Sequence, residues 1–172
     1  MFERLIAHHW TPVGWITLMA NHLGLFSISY GKQLAPFGRS DFLDQSMKEI
    51  DEFFTGKRTN FTVPLHLVGS PFQKVVWSAL KHIPYGALPT YSDIAAAIGR
   101  PSAVRAVGAA LNKNPIPIVI PCHRVIGRTG DLTGYVAGLD VKRQLIDLEL
   151  RSQFKRDRAQ AIQTNDSMTL TP

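Results

Sequence analysis

Polar and apolar positions alternate along the first part of the chain. "GWITLMA" and "LGLFSISYG" are short apolar or alternating runs, and residues 1–35 around them read as β structure, with "NH" as a hairpin turn. From Ser40 the period changes. Phe42, Leu43, Met47, Ile50, Phe53 and Phe54 recur at spacings of three and four, which predicts a helix stopped by Gly56. "NFTVPLHLVG" then alternates again. Residues 1–68 thus read as a sheet covered by one helix, with a boundary near Gly69.

The second half is helical in pattern. Ser70 caps a helix with Pro71 at its first position and Gln73 three residues on, a capping box that satisfies orphan backbone donors. Phe72, Val75, Val76, Ala79 and Leu80 form its predicted buried stripe, and Pro84 with Gly86 ends it. Thr90 caps "YSDIAAAIG", where Asp93 suits the positive end of the helix dipole and Gly99 closes the helix. After "RP", Ser102 caps "AVRAVGAALNK". Helix, turn of three to four residues, helix is a helix-turn-helix pattern, although any two helices of a bundle can share it.

Small residues crowd the second of these helices: Ala103, Ala106, Gly108, Ala109 and Ala110. A glycine inside a helix costs about 1 kcal/mol relative to alanine. Close approach by a neighbouring helix or by a nucleic acid groove would account for it, and Arg105 would project from that smooth surface. "GRTGDLTGYVAG" carries Gly130, Gly134 and Gly138 and reads as a loop. Asp140 caps a last helix, "VKRQLIDLEL", with Val141, Leu145 and Leu148 inward. Residues 151–172 turn charged and then polar, and disorder is predicted there. The fold class is α/β (α+β). A small N-terminal sheet-plus-helix domain (1–68) precedes a mainly helical C-terminal domain (69–150) with a winged-helix-like helix-turn-helix.

Composition narrows the setting. With 45% hydrophobic and 19% charged residues, the 172-residue chain is ordinary for a folded protein. One cysteine excludes an internal disulfide and fits a reducing cytoplasm; a zinc site would need mostly histidine and carboxylate. The start "MFERLIAHHW" is no signal peptide, and no stretch reaches the roughly 20 apolar residues of a membrane span. Net charge is +6, which favours polyanionic partners. The basic residues Lys74, Lys81, Arg100, Arg105, Lys113, Arg124 and Arg128 are scattered, so a solvated basic surface explains them equally well. Nothing calls for an oligomer.

The lone cysteine lies in "NPIPIVIPCHRVIG", residues 114–127, followed at once by His123 and Arg124. An inert thiol needs only the apolar walls, whereas a reactive one needs the polar neighbours, and both are present. Adjacent residues of a strand face opposite ways, so Cys122 and His123 could cooperate only if the chain turns, which Pro121 allows. A core filler, a cysteine hydrolase and an alkyl acceptor all stay open on these residues alone.

Taken together, residues 71–127 and "TGYVAGLDVKRQLIDLE" closely resemble the methylated-DNA protein-cysteine methyltransferases, the O6-alkylguanine-DNA alkyltransferase family. "IPCHRV" preceded by "NP" is that family's active-site signature, and "FFTGKRTNFTVPL" resembles its bridge between two domains. The resemblance implies that Cys122 accepts the alkyl group from guanine O6 permanently, without cofactor or metal, once per molecule. It implies a relay from Cys122 through a water to His123, oriented by Glu149, with Tyr91 bonding the extruded base. Ser102, Arg105, Ala106, Gly108, Ala109 and Arg124 would face double-stranded DNA along the minor groove, Arg105 filling the gap left by the flipped base. Asn114, Tyr135, Val136, Ala137 and Lys142 would line the pocket, with Asn114 as hinge. Repair of O4-alkylthymine stays open.

Two departures stand out. The last helix lacks the family's usual acidic-aromatic pair after the lysine and the histidine before the glutamate. Ala137 occupies a common glycine position, which would narrow tolerance for bulky alkyl groups. A hydrolase would turn over repeatedly, and relatives that bind lesions without transfer lack the cysteine present here. Thiol acidity alone does little: lowering the pKa from about 8.5 to about 7 raises the thiolate roughly 16-fold, but each thiolate is about 5-fold less nucleophilic, a net gain of about threefold. Alignment of the alkyl carbon and help to the departing base must supply the rest.

Overall fold

The computed structural model describes residues 5–34 and 38–168, with side chains of the last helix through residue 163. The charged start at Glu3 and Arg4 and the final residues 169–172 lie outside the described residues. Three antiparallel strands pair in the order β1 (Leu5–Thr11), β2 (Gly14–Asn21) and β3 (Gly24–Tyr30). Asn21 pairs with Gly24, so the hairpin turn is His22 and Leu23, one residue later than the pattern suggested. The Asn21 side chain accepts from Leu23 N at 2.9 Å, stabilising that turn. Gly24 is required there: its φ is +139°, and a Cβ would stand 2.3 Å from the Pro64 carbonyl oxygen.

Ile16, Leu18 and Ala20 turn one face of β2 inward, where helix α1 (Asp41–Phe54) buries Leu43, Ile50 and Phe53. Ser40 caps that helix through Leu43 N, and Gly56 follows in the left-handed region at φ +72°. "NFTVPLHLVG" does not form a fourth strand. Pro64 has no N–H to donate to a ladder, and the segment meets β3 only at one parallel bridge, Leu65 to Leu25.

Helix α2 (Pro71–Lys81) has the capping box of Ser70 and Gln73, and α3 (Tyr91–Ala97) has that of Thr90 and Asp93. The inward stripe of α2 is rotated from the expected one. Val76, Trp77 and Leu80 are buried, while Val75 is 50% exposed. Trp77 drives this, because its indole N–H reaches the Ala110 carbonyl at 2.9 Å and so buries without leaving a donor unpaired.

Helix α4 (Val104–Asn112) begins later than the sequence implied. Ala103 stands at its N-cap without a side-chain bond, and Ser102 is exposed. The connection is therefore residues 98–103, longer than three to four, because Ala103 N donates to Arg100 O at 2.9 Å and extends the turn before the helix starts.

A short 3-10 turn, Cys122–Arg124, precedes α5 (Leu139–Met168). Asp140 falls in the first turn of α5 and not at its cap. Over its described part the expected disorder from residue 151 gives way to helix: α5 continues through Met168. The segment's large apolar residues Phe154 and Ile162 stay exposed, but Arg, Gln, Lys and Ala favour helix intrinsically. It is also tied down. Arg156 bonds the Gly56 carbonyl and sits 4.9 Å from the Tyr85 ring, and Gln153 bonds Asp157 one turn on at 2.7 Å.

One hydrophobic cluster runs across both halves, from Ile16 and Leu25 to Trp77, Val107, Ile116 and Cys122. The sheet also bonds the cysteine segment directly, Ile28 N donating to Pro115 O at 2.9 Å. Among the described residues, no helix is long and apolar enough to cross a membrane.

Candidate active site

Three prolines keep residues 114–121 from becoming helix or strand, and the loop they force is pinned by Asn114. Its side-chain oxygen accepts from Ile116 N at 3.0 Å. Its amide donates to Ile120 O at 2.8 Å and to Cys122 Sγ at 3.1 Å. One residue thus staples both ends of the loop and aims an N–H at the sulfur. Ile118 has φ +75°, rare for a β-branched side chain and costing about 1–3 kcal/mol. Complete burial beside Phe53, Tyr85 and Leu145 holds it there.

The chain does turn at Pro121, whose ψ is 61°; Cys122 Sγ then meets the Asn114 amide while the His123 ring meets Glu149. His123 Nε2 lies 2.6 Å from Glu149 Oε1, and Glu149 also accepts from Arg124 Nε (2.9 Å) and Gly86 N (2.9 Å). Burial pushes the imidazole below its ordinary value of 6.5 despite the Glu149 carboxylate. Burial would raise Glu149, but the hydrogen bond from His123 and the charge and hydrogen bonds of Arg124 outweigh it, and the carboxyl falls below 4.5. At neutral pH the pair is therefore a neutral imidazole donating from Nε2 to a carboxylate. The tautomer follows: Nδ1 is the acceptor, and it is buried with no hydrogen-bond partner among the described residues.

Cys122 is 5% exposed. Burial pushes its thiol up to about 11, against smaller opposing effects from the Asn114 N–H and the Lys142 charge. About one molecule in 10⁴ carries a thiolate at pH 7. Lys142 is itself buried, its Nζ donating to Val125 O at 2.7 Å and Thr133 O at 2.8 Å, and burial lowers its pKa. It ties α5 to the loop over the thiol. Tyr91, at the start of α3, donates its hydroxyl to Thr133 O at 3.2 Å, and the Lys142 ammonium is 6.0 Å from its ring.

The outer face of the helix pair is smooth. Ser102, Arg105, Ala106 and Ala109 are exposed, and Gly108 is half-buried. Neighbour packing does not explain Gly108, because a Cβ there would meet only the Tyr91 ring, at 3.8 Å. Arg124 does not join this face. It is 4% exposed, held by Glu149 and by the Ile83 carbonyl at 2.6 Å, so it serves the His–Glu pair and reaches no DNA phosphate. Tyr135 and Ala137 are half-buried on the loop, whereas Val136 is 62% exposed. Sequence reasoning missed Gly86, whose amide anchors Glu149, and Tyr30, whose hydroxyl is 2.8 Å from that of Tyr135. Neither carries a local signal, since each acts on a partner remote in sequence.

A helix-turn-helix pair, a buried thiol on a proline-pinned loop and, next in sequence, a histidine held by a buried carboxylate fit the class of DNA-binding proteins that react through cysteine. Comparison with known proteins makes this specific. The family model described as 6-O-methylguanine DNA methyltransferase, DNA binding domain, matches residues 71–151, and that family's ribonuclease-like domain matches residues 7–67. The chain belongs to the 6-O-methylguanine DNA methyltransferase family.

Among relatives, the inducible methylated-DNA--protein-cysteine methyltransferase of Bacillus subtilis is 52% identical over 117 residues, 68% of this chain and 65% of that protein. That of Methanosarcina acetivorans is 44% identical over 146 residues, 81% of this chain and 94% of that protein. The crystal structure of Mycobacterium tuberculosis OGT in complex with DNA matches with a TM-score of 0.78 at 38% identity, covering 87% of this chain and 93% of the other.

Proposed function

We propose that this chain repairs double-stranded DNA by moving an alkyl group from guanine O6 to Cys122, irreversibly and once per molecule. The observation that carries this is a buried His123 whose Nε2 is held by Glu149 and whose Nδ1 has no hydrogen-bond partner among the described residues, next in the chain to the buried thiol of Cys122. The thiol proton passes to His123 Nδ1 through a bridging water, and Glu149 stabilises the imidazolium. The sulfur lone pair forms the S–C bond as the C–O6 bond breaks, and its electrons return to the guanine ring. Tyr91 bonds the departing base. The departing guanine anion takes up at N1 the proton that the imidazolium gives back through solvent, so the thiol's proton ends on the base. The products are a thioether and unmodified guanine, with no cofactor or metal taking part.

The helix pair binds DNA from the minor groove through the face of Ser102, Arg105, Ala106, Gly108 and Ala109. The target base flips out, and the loop of residues 127–138, mostly exposed, is the wall that moves to admit it to the pocket of Asn114, Tyr135, Ala137 and Lys142. Residues 1–68 serve as the supporting domain and residues 69–150 as the reacting one. The protein acts as a monomer in the reducing cytoplasm.

The test is intact-mass measurement after single-turnover mixing with an O6-methylguanine oligonucleotide across pH. The peptide containing Cys122 should gain about 14 Da, one alkyl group per protein. With His123 as internal base, the rate should be flat from pH 7 to 9 at saturating DNA. A roughly tenfold rise per pH unit would mean pre-formed thiolate does the work; repeated turnover would overturn the reading altogether.

Arg105→Ala removes the plug that replaces the flipped base. Unstacking costs a few kcal/mol, so the transfer rate from duplex should fall by roughly 10- to 100-fold, while transfer from the free modified nucleobase stays near the parent rate. Equal loss on both substrates would place Arg105 in the chemistry instead.

A further inference from the structure

Tyr30 ends the last strand of the sheet, far in sequence from the cysteine, yet its hydroxyl is 2.8 Å from that of Tyr135 and the two rings meet edge to face at 6.1 Å. Both rings pack against the cluster that contains Cys122. Tyr30 is held firmly: its neighbour Gly31 donates to Trp15 O at 2.7 Å, and Ile28, two residues earlier, donates to Pro115 O. Tyr135, by contrast, sits on a loop whose flanking residues Gly134 and Val136 are exposed. A fixed ring is therefore bonded to one on a less anchored segment, both packed on the cluster that holds Cys122. Burial is the main reason both phenols are raised, with the Cys122 sulfur a smaller contributor to each, so both hydroxyls stay protonated and available to the shared bond.

We propose that Tyr30 sets the size of alkyl group the site accepts, by holding Tyr135 against the space beside Cys122 through the hydroxyl pair. This rests on the alkyl-transfer reading above. A methyl group needs little room beyond the sulfur, so a fixed Tyr135 costs it nothing and keeps its carbon aligned. A benzyl group must displace that ring, and the hydroxyl bond resists. Tyr30 touches no reacting atom; it is a positioning residue working through Tyr135. Pockets discriminate by such packing differences at roughly 10- to 200-fold per small group, and one neutral hydrogen bond is worth about tenfold.

Single-turnover rates would be compared for oligonucleotides of one sequence carrying O6-methylguanine or O6-benzylguanine, in the parent protein, Tyr30→Phe, Tyr135→Phe and the double variant. Tyr30→Phe should raise the benzyl-to-methyl rate ratio by about tenfold. Tyr135→Phe should do the same, and the double variant should add nothing further, since both changes break one bond. Tyr30→Leu, which also removes the ring, should raise the ratio more. A ratio unmoved by Tyr30→Phe and Tyr30→Leu, with methyl transfer intact, overturns this inference and leaves the repair reading standing. So does a double variant whose effect is the product of the singles. No transfer by the parent protein from either oligonucleotide overturns both.

Discussion

Cys122→Ala is expected to bind lesion-bearing DNA as tightly as the parent chain while transferring no alkyl group at all. The chain has one cysteine, so no second thiol can substitute, and the residues proposed to face DNA lie on other elements. Folding should survive, because the thiol is protonated in the free protein and gives up only a weak bond from Asn114. The pH dependence offers a second readout. The thiol is raised from 9.0 to about 11 on folding, so the folded state holds its proton more tightly. That stabilisation is fully present below pH 9 and is lost as pH rises toward 11. The alanine variant lacks this contribution, and its melting temperature should fall less steeply over that window. Residual transfer by Cys122→Ala, measured by mass, would move the acceptor elsewhere.

Glu149→Ala should be the most damaging single substitution for stability. It strands the Nε2–H of His123, the Arg124 guanidinium and the Gly86 amide together in a buried site. Removing one partner of a buried ion pair costs about 3–5 kcal/mol, a large part of the 5–15 kcal/mol typical of a domain. At about 2–4 °C per kcal/mol for a chain of this size, the melting temperature should drop by roughly 6–20 °C. Transfer should fall by about 10²-fold or more, the usual weight of a positioned base.

Glu149→Gln separates the two effects. A neutral amide can still accept from Arg124, so less stability is lost, but it can also donate to Nε2. That moves the imidazole proton to Nδ1, the position that must be vacant to take the thiol's. Glu149→Gln transferring at the parent rate would refute the assigned tautomer. In the parent protein, His123 and Glu149 are both lowered on folding. Their stabilisation is present at neutral pH and is lost as pH falls, first below 6.5 for His123 and then below 4.5 for Glu149.

Local grammar was readable wherever neighbours in sequence are neighbours in space. The boxes of Ser70 with Gln73 and Thr90 with Asp93 span one helical turn, and "IPCHRV" is contiguous. What failed depends on partners far along the chain. Arg124 looked like a DNA contact because its neutralising carboxylate stands 25 residues away. Val75 was placed inside and Trp77 overlooked because the rotation of α2 is set by a carbonyl on α4. The disorder expected after residue 150 overlooked Arg156, which bonds a carbonyl 100 residues earlier. Tyr30 gave no hint at all, since only the packing of the sheet brings it to Tyr135.

The bond from Ile28 to Pro115 has a further consequence for anyone dividing this protein. A chain cut near Gly69 would retain every reacting group on its second fragment yet lose the outside brace on the proline-rich segment. Reactivity would then belong to the reassembled pair, and mixing the two fragments would report on how firmly that brace grips.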